Sequence, residues 1–477
     1  MSHLLLIGVG PLPCYETEQL YGFGIRAWQF ALPLLRAGHS LTLVTCEFGV
    51  ERENQLDVRY KHHPTLWGEV EHIILPEPRP RNFNVLLTRL DSILEEHNPD
   101  GIIAAGSTIA TNLAASLDTE CPIWMDMFGD LFAEVQAKSP YSRNPHEIDF
   151  FHRTLAKVLL RGDRFSVVSE MQRGAAIGQL GLMGRLNQFT LGEELVWTIP
   201  CAMNGEAAPL YRKPLLRGDE VGSRDFLLLC SGGLNTWADI DTLFAGIEEA
   251  MDSNGRIHCV LTGGPITGHH EEGYNRLRSL ISKSVHEGRF HLLGWVSNDE
   301  VTQVTMECDL GLNVDLAIYE STLGSRNRFL FWMQHGLPIL TTETTEISMF
   351  LSQNELAIGI PTGSPKLLAR SILEAAENPL PLRKQAVRAK NFVYETLTFE
   401  ETCQPLLEWA KEPMSATDNI ERELQKGNYF NQLDEYLHNW AFQDQPSNGG
   451  STIPTLPRPV IHTRPQGKSW WRRLWGS

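Results

Sequence analysis

Two arginines set two residues apart, Arg326 and Arg328, carry the most pointed chemistry in this chain. They stand in "NVDLAIYESTLGSRNRFLFWMQHGLPIL" (313–340). A strand-like run ends at Asn313–Asp315, and a loop follows with Glu320, Gly324 and Ser325. Ser325 has the side chain of a helix N-cap, which puts Arg326 and Arg328 in the first helical turn, and Gly336 with Pro338 stops the helix. A cation at a helix start opposes the helix dipole, so two of them imply an anion at that spot. A diphosphate fits, gripped by backbone N–H groups and guanidinium forks. The alternative is a surface salt-bridge cluster. Glu320 is expected either to accept ligand hydroxyls or to cap its loop.

Glycine-bearing loops supply the other candidates. "CSGGLNTW" places Gly232 and Gly233 directly after a strand, and "LTGGP" does the same with Gly263 and Gly264. Each reads alone as a tight turn; together they favour a phosphate or nucleotide cradle on one sheet edge. "YGFGIRAW" sets Gly22 and Gly24 before a helix, without the third glycine of a dinucleotide fingerprint. "DMFGDLFAEVQAK" (126–138) ends a buried-type strand with Asp126, Gly129 and Asp130. These carboxylates are expected either to orient an acceptor hydroxyl, one acting as base, or to cap the helix that follows. The histidine pairs at 62–63 and 269–270 lack metal-ligand spacing and read as solvated loop residues.

The elements that must position these residues alternate regularly. Apolar runs such as "HLLLIGVG" (3–10), "LTLVT" (41–45), "GIIAAG" (101–106) and "RFSVVS" (164–169) alternate with amphipathic helical stretches. Continuous apolar strands between helices mean a parallel, doubly wound sheet covered on both faces. Residues 201–224 are polar and turn-rich, and the alternation restarts at "DFLLLCSGG" (225–233). The expected fold class is therefore α/β, with two Rossmann-like doubly wound parallel-sheet domains facing a cleft and a helical C-terminal extension. The expected boundaries are 1–205, 206–385, a helical return at 386–445 and a disordered, Pro/Gly/Ser/Thr-rich tail at 446–477.

Composition bounds the function. The chain has 477 residues and a formal net charge of −17, which argues against a nucleic-acid partner. Eight scattered cysteines with no C-x-x-C pair read as free thiols of a reducing compartment. The start lacks a basic segment and a long apolar one, and no stretch is long and apolar enough to span a bilayer, so the expected location is cytoplasmic. The tail residues Lys468, Trp470, Trp471, Arg472, Arg473 and Trp475 form a Trp/Arg cluster suited to peripheral contact with an anionic membrane; the alternative is a free basic end.

Over residues 1–410 the chain resembles the family-four retaining glycosyltransferases, the group 1 glycosyl transferases of GT-B fold. "GFGIRAWQFALPLLRAGHSLTLVT" is similar to that family's first glycine loop, helix and second strand, "RGDRFSVVSEMQRGAAIGQLG" to the segment before the domain crossing, and "VWTIPCAMN" to the crossing itself. "FHLLGWVSNDEVTQVTMECDLGLNV" and "YESTLGSRNRFLFWMQHGLPIL" take the places of the later donor motifs. The resemblance implies transfer of a sugar from a nucleotide diphosphate sugar to an acceptor hydroxyl with retention, of hexosyltransferase type, by front-face substitution and with no cofactor or metal. It implies that Gly232, Gly233, Glu320, Gly324, Arg326 and Arg328 face the donor, that Gly294, Trp295 and Val296 meet its base, and that Gly22, Gly24, Asp126 and Asp130 lie on the acceptor side. Two departures stand out. The family's lysine after the first donor loop is absent, with Trp237, Ala238 and Asp239 near its place. Its second glutamate is absent too: Arg328 stands eight residues after Glu320, and alignment on Gly336 puts Phe331 there. A non-catalytic binding subunit or a nucleotide-sugar epimerase on the same fold are the alternative readings.

Overall fold

The computed structural model describes residues 1–15, 20–47, 58–62, 70–140, 147–206, 214–265 and 271–424. The tail cluster, residues 207–213 of the polar stretch, and three of the four paired histidines lie outside the described residues; His62 is described in its backbone only.

The first domain runs β1 (His3–Val9), α1 (Gly22–Arg36), β2 (Ser40–Glu47), β3 (Val58–His62), β4 (Val70–Pro76), α2 (Phe83–His97), β5 (Gly101–Ala104), α3 (Thr108–Ala114), β6 (Ile123–Asp126), α4 (Leu131–Lys138), α5 (Glu147–Arg161), β7 (Arg164–Val167), α6 (Glu170–Leu182) and β8 (Val196–Thr198). Its sheet has the order β3-β4-β2-β1-β5-β6-β7-β8 and is parallel except for β3. The side chains of β1 explain why it sits in the middle: Leu5 and Ile7 enter the core on one face, Leu4 and Leu6 the core on the other. Every face of that strand is dry, as a central parallel strand requires. β3 and β4 carry no continuous apolar run, and the sequence reading passed over them; β4 extends the sheet beyond β2 in parallel register.

The second domain runs β9 (Phe226–Ser231), α7 (Ile240–Ser253), β10 (Ile257–Thr262), α8 (Glu272–Ile281), β11 (Phe290–Gly294), α9 (Asn298–Glu307), β12 (Leu310–Asn313), α10 (Tyr319–Leu323), α11 (Asn327–His335), β13 (Ile339–Thr342), α12 (Glu346–Gln353), β14 (Ile358–Ile360), α13 (Pro365–Glu377) and α14 (Pro379–Thr396). All its strand pairs are parallel, in the order β11-β10-β9-β12-β13-β14. Leu228 and Cys230 of β9 face one core, Leu227 and Leu229 the other.

The chain then returns. α14 packs against α11 in the second domain. α15 (Phe399–Thr402), α16 (Gln404–Lys411) and α17 (Thr417–Leu424) lie on the first. The outgoing and returning chains run side by side at the crossing: Met203 N–H donates to Leu397 O at 2.9 Å and Phe399 N–H to Met203 O at 2.8 Å. α17 is fastened by a buried ion pair, Arg185 to Asp418 at 2.6 Å. All eight cysteines are free thiols, five of them buried. Among the described residues no helix is long and apolar enough to cross a membrane.

Candidate active site at the switch point of the second sheet

In the second sheet, successive strands run outward from β9 to β11, and β12 then returns to the other side of β9. The strands are parallel, so their carboxyl ends share one edge, and the crevice for a ligand opens where the order reverses, between β9 and β12. The loops that leave these two strands are joined below the crevice. Asp239 N–H donates to Val314 O at 2.9 Å and Leu316 N–H to Trp237 O at 2.7 Å.

Glycine builds the rim. Gly232 and Gly263 hold φ of +84° and +90°, a left-handed backbone that side chains disfavour. A Cβ at Gly263 would stand 2.8 Å from the Gly232 backbone, so the two loops touch main chain to main chain. Gly263 N–H in turn donates to Gly294 O at 2.7 Å. The sequence expectation that the two Gly-Gly loops line one edge holds, and Gly294 joins them. Gly264 lies against Trp295, whose indole N–H donates to Pro265 O at 3.1 Å. The Trp295 ring meets Tyr21 of the first domain edge-on, at 5.8 Å between centroids. Val296 follows, half-buried.

The two arginines separate in role. The expected Ser325 cap is not formed: α11 starts at Asn327 with Arg326 at its N-cap, in extended backbone and without a side-chain cap. Ser325 turns instead toward the domain crossing, lining a narrow gap with Cys201, Gly324, Ser169 and Pro200. Arg326 is only 3% exposed; its guanidinium bonds Asp315 at 2.8 Å and Glu320 at 3.4 Å and lies over the Trp237 ring at 4.6 Å. Burial pulls its pKa down, but Asp315 and Glu320 outweigh burial and raise it. Its charge is thus spent inside the protein, which corrects the expectation of an open donor-site cation there.

Arg328 is different. Its guanidinium donates to Gly233 O at 3.1 Å, and it has no carboxylate partner among the described residues. Burial pulls its pKa down, only partly offset by Asp315. It also sits where two helix starts converge. A Cβ at Gly22, the first residue of α1, would meet Asn327 Nδ2 at 3.1 Å. Neither helix has a capping side chain or an acid in its first turn, so two partial positive ends and one guanidinium face each other with no anion supplied among the described residues. Gly24 makes this approach feasible from the first domain, because a Cβ there would lie 1.9 Å from Pro11 O. Trp332, which the sequence reading did not single out, ties α11 to the sheet by donating to Ser231 Oγ at 3.1 Å.

The first-domain carboxylates also divide. Asp126 is fully buried and saturated: Arg26 bonds it in a two-point fork at 2.8 and 2.9 Å, Ser166 donates at 2.6 Å and the Gly106 N–H at 3.0 Å. The open carboxylate expected at Asp126 is corrected to a buried anchor, since no lone pair is left for a substrate proton. The same Arg26, with Gln29, reaches Pro200 O at the domain crossing. Asp130 is the N-cap of α4, accepting from the Ala133 N–H at 2.9 Å and from Gln179 at 2.9 Å, with Gly129 before it in left-handed backbone.

Glu320, in the first turn of α10, joins the two domains electrically. Burial pushes its carboxyl up to about 7; Arg326 pulls it down, and Asp315 and Glu134 push it up further. Glu134 belongs to α4, which packs on α10 across the cleft. The folded chain therefore holds this proton more tightly than the unfolded one, for which 4.5 is ordinary. The stabilisation is complete below about 4.5 and is lost as pH rises through about 7. Its size is roughly 3 kcal/mol. Melting temperature should thus fall between pH 5 and 8 in the wild type, and Glu320→Gln should flatten that fall; an unchanged slope in the variant would remove Glu320 as its source.

Comparison with known proteins agrees with this architecture. Residues 225–378 match the family described as Glycosyl transferases group 1. Sucrose-phosphate synthase from Thermosynechococcus elongatus superposes with a TM-score of 0.65 at 14% identity, covering 86% of this chain and 98% of that one. Anabaena Alr3699/HepE, solved with UDP and glucose, gives 0.61 at 14% identity over 86% and 100%. An Escherichia coli trehalose-6-phosphate protein bound with UDP-2-fluoro glucose gives 0.63 at 13% identity over 87% and 100%. No match was found among curated protein sequences. In its second domain, then, the chain resembles the group 1 glycosyl transferases, and as a whole it has the two-domain GT-B fold.

Proposed function

We propose that this protein is a glycosyltransferase that moves a sugar from a nucleotide diphosphate sugar to an acceptor hydroxyl, with retention. The observation that carries this reading is Arg328, a guanidinium without a carboxylate partner among the described residues, set between the Gly232–Gly233 loop and two uncapped helix starts. A diphosphate supplies the anion that this convergence lacks among the described residues. Its oxygens would take the N–H groups at Asn327 and Gly22 and the Arg328 fork, and the base would lie toward Gly294–Val296. In the transfer step the bond from the anomeric carbon to the diphosphate oxygen breaks. The acceptor oxygen bonds that carbon from the same face, and its proton passes to the departing phosphate oxygen. Charge building on the leaving group is met by Arg328 and the helix ends without a resident metal.

The test is nucleotide-sugar binding by thermal shift in EDTA. UDP-sugars come first, because the superposed Anabaena structure holds UDP and glucose and the Escherichia coli one UDP-2-fluoro glucose; GDP-, ADP- and TDP-sugars follow. A shift of several degrees with one base is expected. No shift with any of them would sink the reading, and a shift that vanishes in EDTA would sink its metal-free part.

A further inference from the structure

One helix of the first domain is capped from the second. The start of α6 stands beside the domain crossing, against the end of α10 and the start of α12. Ser169, its N-cap, accepts from its own Gln172 N–H at 3.1 Å and donates across the gap to Leu323 O, in the last turn of α10, at 3.3 Å. A second N–H of the first turn of α6, that of Met171, donates to Glu346 Oε2 at 3.1 Å, and Glu346 opens α12. A carboxylate at a helix N-terminus pairs an orphan donor and meets the positive end of the dipole. Neither helix depends on this exchange for its own fold: α6 keeps the Ser169 cap, and α12 keeps the reciprocal bonds of Thr345 and Ser348. Glu346 is half-buried and lines the narrow gap with Ser169, Gly324 and Ser325. Both sides of this contact lead to the donor crevice. Gln172 Nε2 of α6 donates to Met127 O at 2.7 Å, one residue before Phe128, whose ring lies 3.7 Å from where a Cβ at Gly22 would stand. α10 carries Glu320 and runs through Gly324 to Arg328.

We infer that Glu346 is a positioning residue: by capping α6 from the other domain it fastens the first domain against the second, at the spacing where Gly22 and Arg328 meet one diphosphate. The fastening is carried by Glu346 and Ser169; its link to the donor rests on the glycosyltransferase reading above. Parting this contact costs neither domain its core, and water can satisfy the Met171 N–H and the carboxylate once they separate. The contact therefore shifts the balance between apposed and parted domains and not that between folded and unfolded chain. A donor that touches both sides brings the apposed form back.

Small-angle scattering of the full chain, with and without UDP and beside melting temperature, tests it. Glu346→Ala is expected to raise the ligand-free radius of gyration above that of the wild type, with melting temperature within about 2 °C. Glu346→Gln, whose amide oxygen still accepts from Met171, should keep the wild-type radius, and UDP should return Glu346→Ala to it. In donor hydrolysis Glu346→Ala should raise KM about tenfold and leave kcat within about twofold, because saturating donor brings the domains together. A wild-type radius in ligand-free Glu346→Ala, an equal rise in Glu346→Gln, a melting temperature lower by more than that margin, or a fall in kcat at unchanged KM would overturn the assignment. If Glu346→Ala fails to fold, Glu346→Asp, one methylene too short to reach Met171, decides by the same radius. A UDP-sugar thermal shift on the wild type keeps the two readings apart. Its absence sinks the glycosyltransferase while the ligand-free radii still judge the fastening; its presence with a wild-type radius in Glu346→Ala sinks only the fastening.

Discussion

Replacing Arg328 by Gln should lower kcat/KM for the nucleotide sugar by roughly 10² to 10³ and leave melting temperature equal or higher. The two halves of this expectation have one cause. Arg328 is a cation drawn partly out of water with no carboxylate to meet it among the described residues, beside two helix ends of its own sign. In the free protein it opposes stability, as residues built for a ligand often do. With a diphosphate present it forms charge-assisted hydrogen bonds that strengthen as the leaving group gains charge. Arg328→Lys should recover part of the loss, because the charge returns but the planar fork does not. Steady-state kinetics, or donor hydrolysis without acceptor, gives the rate, and calorimetry gives the melting temperature. A variant with normal donor binding and a lower melting temperature would make Arg328 a structural residue and move the diphosphate elsewhere.

The fold was readable because its central strands are unbroken apolar runs. "HLLLIGVG" and "DFLLLCSGG" announce β1 and β9, the middle strands of the two sheets, and the Gly-Gly pairs after β9 and β10 mark the edge where a ligand belongs. β4 was less legible because its run, Val70–Pro76, is interrupted by Glu71 and His72. The roles of charged residues were hidden for a different reason. Asp126 looks open in the sequence because Arg26, which saturates it, stands 100 positions earlier. Arg326 and Arg328 look alike because they are two apart, but residues at that spacing do not share a helix face. Arg326 is also still extended, outside the helix, so its side chain turns into the core while that of Arg328 turns to the crevice. The absence of the family's lysine was visible as Trp237; that Trp237 covers the arginine neutralised by Asp315 was not.

Arg326 should behave as the opposite of Arg328. Arg326→Met leaves Asp315, 2% exposed, and Glu320 without their counter-charge. Breaking a buried pair from one side costs about 3–5 kcal/mol, because the remaining charge stays desolvated. At about 2–4 °C per kcal/mol for a domain of this size, melting temperature should fall by roughly 10 °C. Adding Asp315→Asn to that variant should restore part of the loss, since it removes the stranded charge; the non-additivity of the cycle measures the pair. Donor binding by whatever fraction stays folded should persist, because the Arg328 fork and the Gly232–Gly233 rim do not depend on the charge of Arg326. The separation is decided by comparing the two variants under one protocol. A stable Arg326→Met protein that no longer binds nucleotide sugar would return Arg326 to the donor and leave the Asp315 pair as a resting position. An unstable one that binds while folded fixes Arg326 as the post on which the loop between β12 and α11 is built, and Arg328 as the cation that the ligand meets.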